Sequence, residues 1–472
     1  MLKKIILIFL AIIICAVIGG ATWYFPLLNQ NNHQFGQQEY KNQSVAVVDE
    51  QEIQSKQKYE ETLHQEQLDE ILVSVNNLIN GYFYDEALDL LNQAGNDERV
   101  EELRQRINKL KSELVKYDGR YYHIFFHSLI IDTKKAFDGD YKERGYNMYM
   151  TTTSEFKKML PLLLANDFVL YDITQMIEIK DGKAYPKDIY LPVGKKPLIL
   201  SIDDVNYYEY MKNDGFADRL DVDANGNVVT VVKNDDGTES ITYDGDVMPI
   251  LDNFVKEHPE FSYRGAKGIV AITGYQGAFG YRITNLKKYE KKQQDEMLNK
   301  VKQIAYALRN NGWQIANHSF THNQYWAKKT MTMKQLKYDI QKWLSEIAPY
   351  VGTTPIIITP FGAMYEQKDP RFRYIVDSGF YIYCPVGSQM DMTWQNDNLV
   401  SSRLNLDGLT MLHYPQRINK YFFNPNDVLD SSRPQLQLEV AVKKRNKVKN
   451  KSSINNEIEN ELIPINISDD LF

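Results

Sequence analysis

The sequence predicts an α/β fold, a parallel sheet or barrel with helices outside, and three observations predict it. From about residue 120 to 425, short apolar runs alternate with helical patterns, the texture of strands joined by covering helices. The runs are His123 to Ile131, Phe168 to Ile173, Pro197 to Ile202, Gly268 to Thr273, Gln314 to Ala316, Ile356 to Thr359 and Leu409 to Leu412. Apolar residues at helical spacing intervene at Ser154 to Leu164, Gln294 to Arg309 and Met333 to Ile347. Two runs lead into residues suited to chemistry, Asp203-Asp204 and the stretch after Ile315. In such folds chemistry sits at the carboxyl ends of strands.

Ahead of this region, Met1 to Lys4 carry two lysines, Ile5 to Ala21 carry no charge, and Trp23, Tyr24 and Phe25 follow. An apolar run of that length can span a bilayer with its lysines on the cytoplasmic side. Gly19-Gly20-Ala21 leaves a cleaved signal peptide open, whereas the bulky aromatic end favours an uncleaved anchor. The expectation is a transmembrane signal anchor at 1–25, embedded through residues 5–22, with the rest of a single-pass cell-membrane protein extracellular. Residues 26–60, rich in Gln, Asn, Glu and Lys, read as a polar linker. From 61 to 117, Leu68, Ile71, Leu72, Val75, Leu78 and Ile79, then Val100, Leu103, Ile107, Leu110 and Leu114, recur at spacings of three and four. They predict a small helical hairpin segment, present once, so no solenoid is expected.

The main domain is expected at 118–430, with a β-hairpin insertion at about 218–243. There Asn225-Gly226 and Asp236-Gly237 separate short Val/Ile/Thr runs, the mark of hairpin turns. The run Asp221 to Gly226 looks like the start of a calcium loop, but Val232 stands where the bidentate Glu is required, which excludes it. The Lys-, Asn-, Ser- and Glu-rich tail at 431–472 is expected to be disordered. A net charge of −7 gives no basic footprint for nucleic acid. With only Cys15 and Cys384, no disulfide framework is available. The 32 tyrosines suit a β-rich core and a sugar-binding surface equally.

There are eight histidines, and two of them stand four apart in Asn317-His318-Ser319-Phe320-Thr321-His322. From a short helix or helical turn both imidazoles can reach one ion. A carboxylate leaving a strand end can supply a third ligand, and two histidines, a carboxylate and an open position describe a catalytic zinc site. In Asp203-Asp204 one carboxylate would bind the metal while its neighbour accepts a proton from water. Alone, such a pair also serves simply to cap a turn. His127, after Ile124-Phe125-Phe126, lines the pocket if that run is the first strand, and is otherwise a buried, hydrogen-bonded histidine. His64, His123 and His258 have no assigned role, His258 preceding Pro259 as a turn residue.

Together these stretches resemble the motifs of the polysaccharide deacetylases, the NodB-like carbohydrate esterases. Ser201-Ile202-Asp203-Asp204 is similar to their Thr-Phe-Asp-Asp-Gly, and His318 to His322 to their His-Ser/Thr-x-x-His. Ile358-Thr359-Pro360-Phe361-Gly362 is similar to Arg-x-Pro-Tyr/Phe-Gly, and Leu409 to His413 to an alternating aliphatic run ending in His. The order along the chain is the same, over about 195 to 420. The resemblance implies a distorted (β/α) barrel holding Zn2+ or another divalent metal through Asp204, His318 and His322. It implies Asp203 as general base, His413 as general acid, and an oxyanion donor from the backbone near Phe361 or Gly362. Pro360, Phe361, Gly362, Tyr365, Trp394 and Tyr414 become the candidate substrate contacts, and an acetylated glycan (peptidoglycan or surface polysaccharide) the expected partner.

Three departures stand out. The glycine after the Asp pair is Val205, the arginine that orients the base is Ile358, and Asp391-Met392-Thr393-Trp394 does not match Asp-x-x-Asp-Trp. Arg403 is the candidate to support the base instead. The expected function is a membrane-anchored, metal-dependent N-deacetylase of a cell-wall or surface polysaccharide. A glycan-binding wall protein that keeps fold and metal without turnover, and an O-acetyl esterase, remain open readings.

Overall fold

The computed structural model describes residues 44–387 and 389–435. The chain divides into two compact units, Met1–Leu68 and Asp69–Phe472. Helix α1 (Ser44–Asn80) is followed by α2 (Tyr84–Leu91) and α3 (Glu98–Ser112). Residues 51–67, expected within a linker and the start of the helical segment, are exposed throughout yet helical. In the second unit Val75, Ile79, Ala87, Leu91, Val100 and Ile107 are buried, the apolar stripe the spacing predicts. Asp97 caps α3 by accepting from the Arg99 N–H. Arg264 pairs with Glu86 of α2, and its backbone N–H donates to the Gly81 carbonyl at 2.9 Å.

The sheet starts with β1 (Tyr122–Phe126). Helix α4 (Thr153–Ala165) opens with a reciprocal capping box between Thr152 and Glu155. Then come β2 (Phe168–Leu170), β3 (Lys196–Ile202), α5 (Val247–Glu257), β4 (Ile269–Ile272), α6 (Lys291–Asn310) and β5 (Gln314–Asn317). The remainder is α7 (Met333–Glu346), β6 (Ile356–Ile358), α8 (Pro370–Asp377), β7 (Ile382–Cys384), β8 (Met392–Trp394), β9 (Leu399–Ser401), β10 (Leu404–Asn405) and α9 (Gly408–His413). The strand order is β8-β9-β7-β6-β5-β4-β3-β1-β10, with β2 also on β3, and every pair except β8 with β9 is parallel. Strands buried on both faces need near-continuous apolar runs, and β3, β4, β6 and β7 have them.

Three expectations require correction. The sheet is a curled half-barrel rather than a closed distorted barrel. The strand order ends at β8 and the two-residue β10, and among the described residues an isolated bridge, Val386 after β7 to Arg403 before β10, is what links the two sides. No continuous ladder therefore closes a ring. Leu409 to Leu412, expected as a strand, lies in α9, because Asp407 accepts from the Thr410 N–H and starts a helix. Finally, among the described residues no helix is long and apolar enough to cross a membrane. The expected transmembrane helix, and with it the single-pass cell-membrane localisation, is thus not supported. Residues 1–25 themselves lie outside the described residues, α1 carries charges from Asp49 to Glu70, and most of the expected disordered tail also falls outside.

The expected insertion forms a three-stranded antiparallel meander, Arg219–Val222, Val228–Lys233 and Glu239–Thr242. Arg433, within the stretch read as tail, is buried against Glu155, Nε to Oε1 at 2.6 Å.

Candidate metal centre

Strand β3 delivers the two carboxylates. The Asp203 N–H still donates to the Phe126 carbonyl of β1 at 2.9 Å, so it closes the ladder. Asp204 then takes φ 57, the left-handed region, which turns the chain sharply. This replaces the glycine that the motif would place one residue later. Asn206 holds the turn: its side chain accepts from the Thr273 N–H at 3.2 Å and donates to the Thr273 and Gly277 carbonyls. Adjacent side chains that would diverge on a strand thereby face one cavity.

Strand β5 ends at Asn317, and the two histidines follow on a loop rather than a helix. Ser319 and His322 have φ 71 and 43. Asp339 of α7, fully buried, organises this loop. It accepts from the Ser319 hydroxyl at 2.7 Å, the Phe320 and Thr321 N–H groups at 2.9 Å, and the Thr321 hydroxyl at 2.5 Å. A carboxylate taking four donors fixes a short loop as firmly as a helix would.

As a result His318 Nε2 and His322 Nε2 lie 3.7 and 3.5 Å from Asp204 Oδ1. All three ligand atoms fall within 4.8 Å of one another, so the group could hold a metal ion. The His318 Nδ1–H donates to the Ile358 carbonyl at 2.7 Å, which leaves the Nε2 lone pair toward Asp204. Tyr208 donates its hydroxyl to Asp204 Oδ1 at 2.6 Å. Burial works against charge on Asp204, but His322 and His318 together bring its pKa below the ordinary value. Burial pushes the His322 imidazole down, with Asp204 opposing. Ionised carboxylate and neutral imidazole are the forms a divalent metal requires, so the donor set fits one.

Beside the triad, Arg403 spans Asp203. Nη1 lies 2.6 Å from Oδ1 and Nη2 3.0 Å from Oδ2, with the guanidinium fully buried over the Phe125 ring. Burial pushes the Asp203 pKa up, but Arg403, with help from His318, holds it down at about 2. The arginine missing at Ile358 therefore has a counterpart in the β9–β10 connection, at a position the sequence singles out only by Ser402-Arg403 following an apolar run.

One cavity of about 210 Å³ is lined by Asp203, Asp204, His318 and His322, and also by Phe361, Gly362, His127, Tyr208, Asn405 and Asp407. The structure does not bring the other expected contacts there. Pro360 is buried at the start of the Pro360–Gly362 turn, and Tyr365 packs in the core against Trp326 with Arg371 over its ring. Trp394 sits on the edge strand β8, and Tyr414 follows α9. His413 closes α9 with its Nε2 buried and without a hydrogen-bond partner among the described residues. His127 instead donates from Nδ1 to the Tyr149 carbonyl at 3.1 Å, which leaves Nε2 as its other nitrogen. Asp407 is anchored by Asn405 Nδ2 at 2.6 Å, and burial raises its pKa. Asp339, Tyr208 and Asp407 are additions that sequence reading missed. Asp407 alone carried a signal, as a helix cap.

No family model matches this chain, and no curated protein does. Among solved structures, that of IcaB from Ammonifex degensii aligns with 56% of this chain and 83% of that chain, at 11% identity and a TM-score of 0.31. A likeness of that size is too low to carry weight for fold or activity.

Proposed function

We propose that the protein is a metal-dependent hydrolase that removes N-acetyl groups from a glycan. The observation that carries this reading is the meeting of Asp204, His318 and His322 in one cavity with a second, ionised carboxylate at Asp203. Asp204, His318 and His322 would hold the metal, which as Zn2+ supplies Lewis acidity toward a carbonyl and toward water. Asp203, kept ionised by Arg403, takes the proton of the attacking water on a carboxylate oxygen. His127 lines the same cavity and, entering as the imidazolium with Nδ1–H on the Tyr149 carbonyl, hands its second proton from Nε2 to the departing nitrogen and is left neutral. His127 rather than His413 takes the acid role in this reading, because His413 does not line the cavity. Phe361 presents a ring 4.7 Å from that of His322 and forms a wall for the acyl group. The Gly362 N–H is engaged by the Thr359 carbonyl at 3.2 Å.

The choice of an acetylated glycan rests on the four ordered motif resemblances and on the tyrosines around the cavity. The test is acetate release by the zinc-loaded full chain from N-acetylglucosamine oligomers, beside an Asp203→Asn variant. Release by the wild type and loss in the variant would support the reading. Equal release by both would remove Asp203 from the chemistry.

A further inference from the structure

Arg403 has a buried guanidinium that only a few groups can orient. Its Nε has no hydrogen-bond partner among the described residues. Its Nη atoms are divided between Asp203 and the Ser201 hydroxyl, the latter at 3.2 Å from Nη1. Ser201 Oγ thus receives a proton from Arg403, and its own hydroxyl proton needs an acceptor. His123 Nε2 lies 3.1 Å away, and His123 Nδ1 lies 2.9 Å from Ser401 Oγ on β9. All five residues are buried, so no water-exposed route replaces any member.

The bonding pattern selects one tautomer. If Nε2 carried the proton, Ser201 Oγ would face two donors and its hydroxyl proton would be left without an acceptor, at a cost of about 1–3 kcal/mol. With Nε2 as acceptor and Nδ1–H donating to Ser401 Oγ, both His123 nitrogens are paired and the Ser201 hydroxyl has both a donor and an acceptor. Burial, with the Arg403 charge second, pushes the His123 imidazole well below its ordinary pKa, and only Asp203 opposes, so the ring is neutral.

We propose that His123 is a positioning residue: as the neutral Nδ1–H tautomer it accepts the Ser201 hydroxyl and so fixes Arg403 on the Asp203 carboxylate. The line Ser401–His123–Ser201–Arg403–Asp203 joins β9, β1, β3 and the β9–β10 connection. It sets the base from behind, where the sheet itself is not closed by a ladder. The inference rests on the hydrolase reading for its catalytic consequence, and on geometry alone for the tautomer.

The test uses the full chain in four forms, wild type, His123→Leu, His123→Gln and Ser201→Ala. Gln can place an amide oxygen near the Nε2 position and accept the Ser201 hydroxyl, whereas Leu cannot. Ser201→Ala breaks the same line from a second point. In zinc-loaded protein, His123→Leu and Ser201→Ala are expected to lower kcat about 10- to 100-fold with KM little changed, and His123→Gln to recover most of kcat. In metal-free, 15N-histidine-labelled protein, NMR should show His123 protonated at Nδ1 and unprotonated at Nε2. An Nε2–H or charged His123, or equal losses in the Leu and Gln variants, would overturn the proposal. Wild-type activity that His123→Leu and Ser201→Ala both leave intact would overturn it while leaving the hydrolase reading standing. A wild type inactive toward every acetylated glycan would overturn the hydrolase reading and the catalytic role of His123 with it.

Discussion

Asp203 is a carboxylate kept ionised in a place where burial alone would neutralise it. Arg403 supplies both its charge and its geometry, a bidentate pair whose two donors match the two oxygens. Removing the proton acceptor while keeping the shape separates metal binding from turnover. Asp203→Asn is expected to keep its zinc and lose at least about 100-fold in acetate release, read by coupled acetate assay. A second residue-scale prediction concerns the acid. His127→Gln should cost about 100-fold or more in kcat, and His413→Gln far less, in the same assay. The sequence made the metal triad legible, because a carboxylate at a strand end and two histidines four apart leave few other uses. In the proposed reading His127 stands in for His413 as the acid: His413 ends an apolar run whose residues suit a strand, while Asp407, three residues before the Thr410 N–H it accepts, decides for a helix. Arg403 was legible as a candidate from its basic side chain in an apolar setting, but not its partner, since pairing across 200 residues is set by strand order.

At the scale of elements, the fold works by clamping loops at strand ends. The loop after β5 has two left-handed residues, and Asp339 of α7 holds it with four donors. Asp339→Ala should therefore weaken zinc binding about 10- to 100-fold, measured by competition with a chromophoric chelator, while all three ligands stay in the chain. The Glu155–Arg433 pair ties the start of α4 to the end of the described chain, with both side chains buried. Arg433→Ala leaves Glu155 charged and buried without its partner, which should cost about 3–5 kcal/mol in urea unfolding. Capping boxes at Thr152 and Thr332 explain why α4 and α7 begin where the sequence predicts. The loop at 318–322 was expected as a helical turn, since histidine spacing alone does not tell a helix from a clamped loop.

At the scale of the whole molecule, the alternation of runs was enough to read a parallel sheet, but not its closure. Whether a sheet rings depends on pairing between its two ends, which here amounts to the isolated Val386–Arg403 bridge, and no local pattern reports that. The many buried tyrosines give the molecule a pH signature. Burial, then Asp246, raises Tyr207 well above 10.0, burial and Asp214 raise Tyr146, and burial raises Tyr383. A group whose folded pKa exceeds its unfolded value contributes stability that is complete below the unfolded value and is lost as pH rises. Unfolding midpoints in urea should therefore hold steady to about pH 9 and fall as pH climbs past 10. A midpoint flat through pH 11 would contradict the burial of these hydroxyls. The most direct test of the central claim, that Asp204, His318 and His322 form one metal site, is zinc stoichiometry by elemental analysis of the full chain beside its His318→Ala variant. The account predicts about one zinc per wild-type chain and none retained by the variant. A wild type that takes up no divalent metal after reconstitution, or a variant that keeps its zinc, would contradict it.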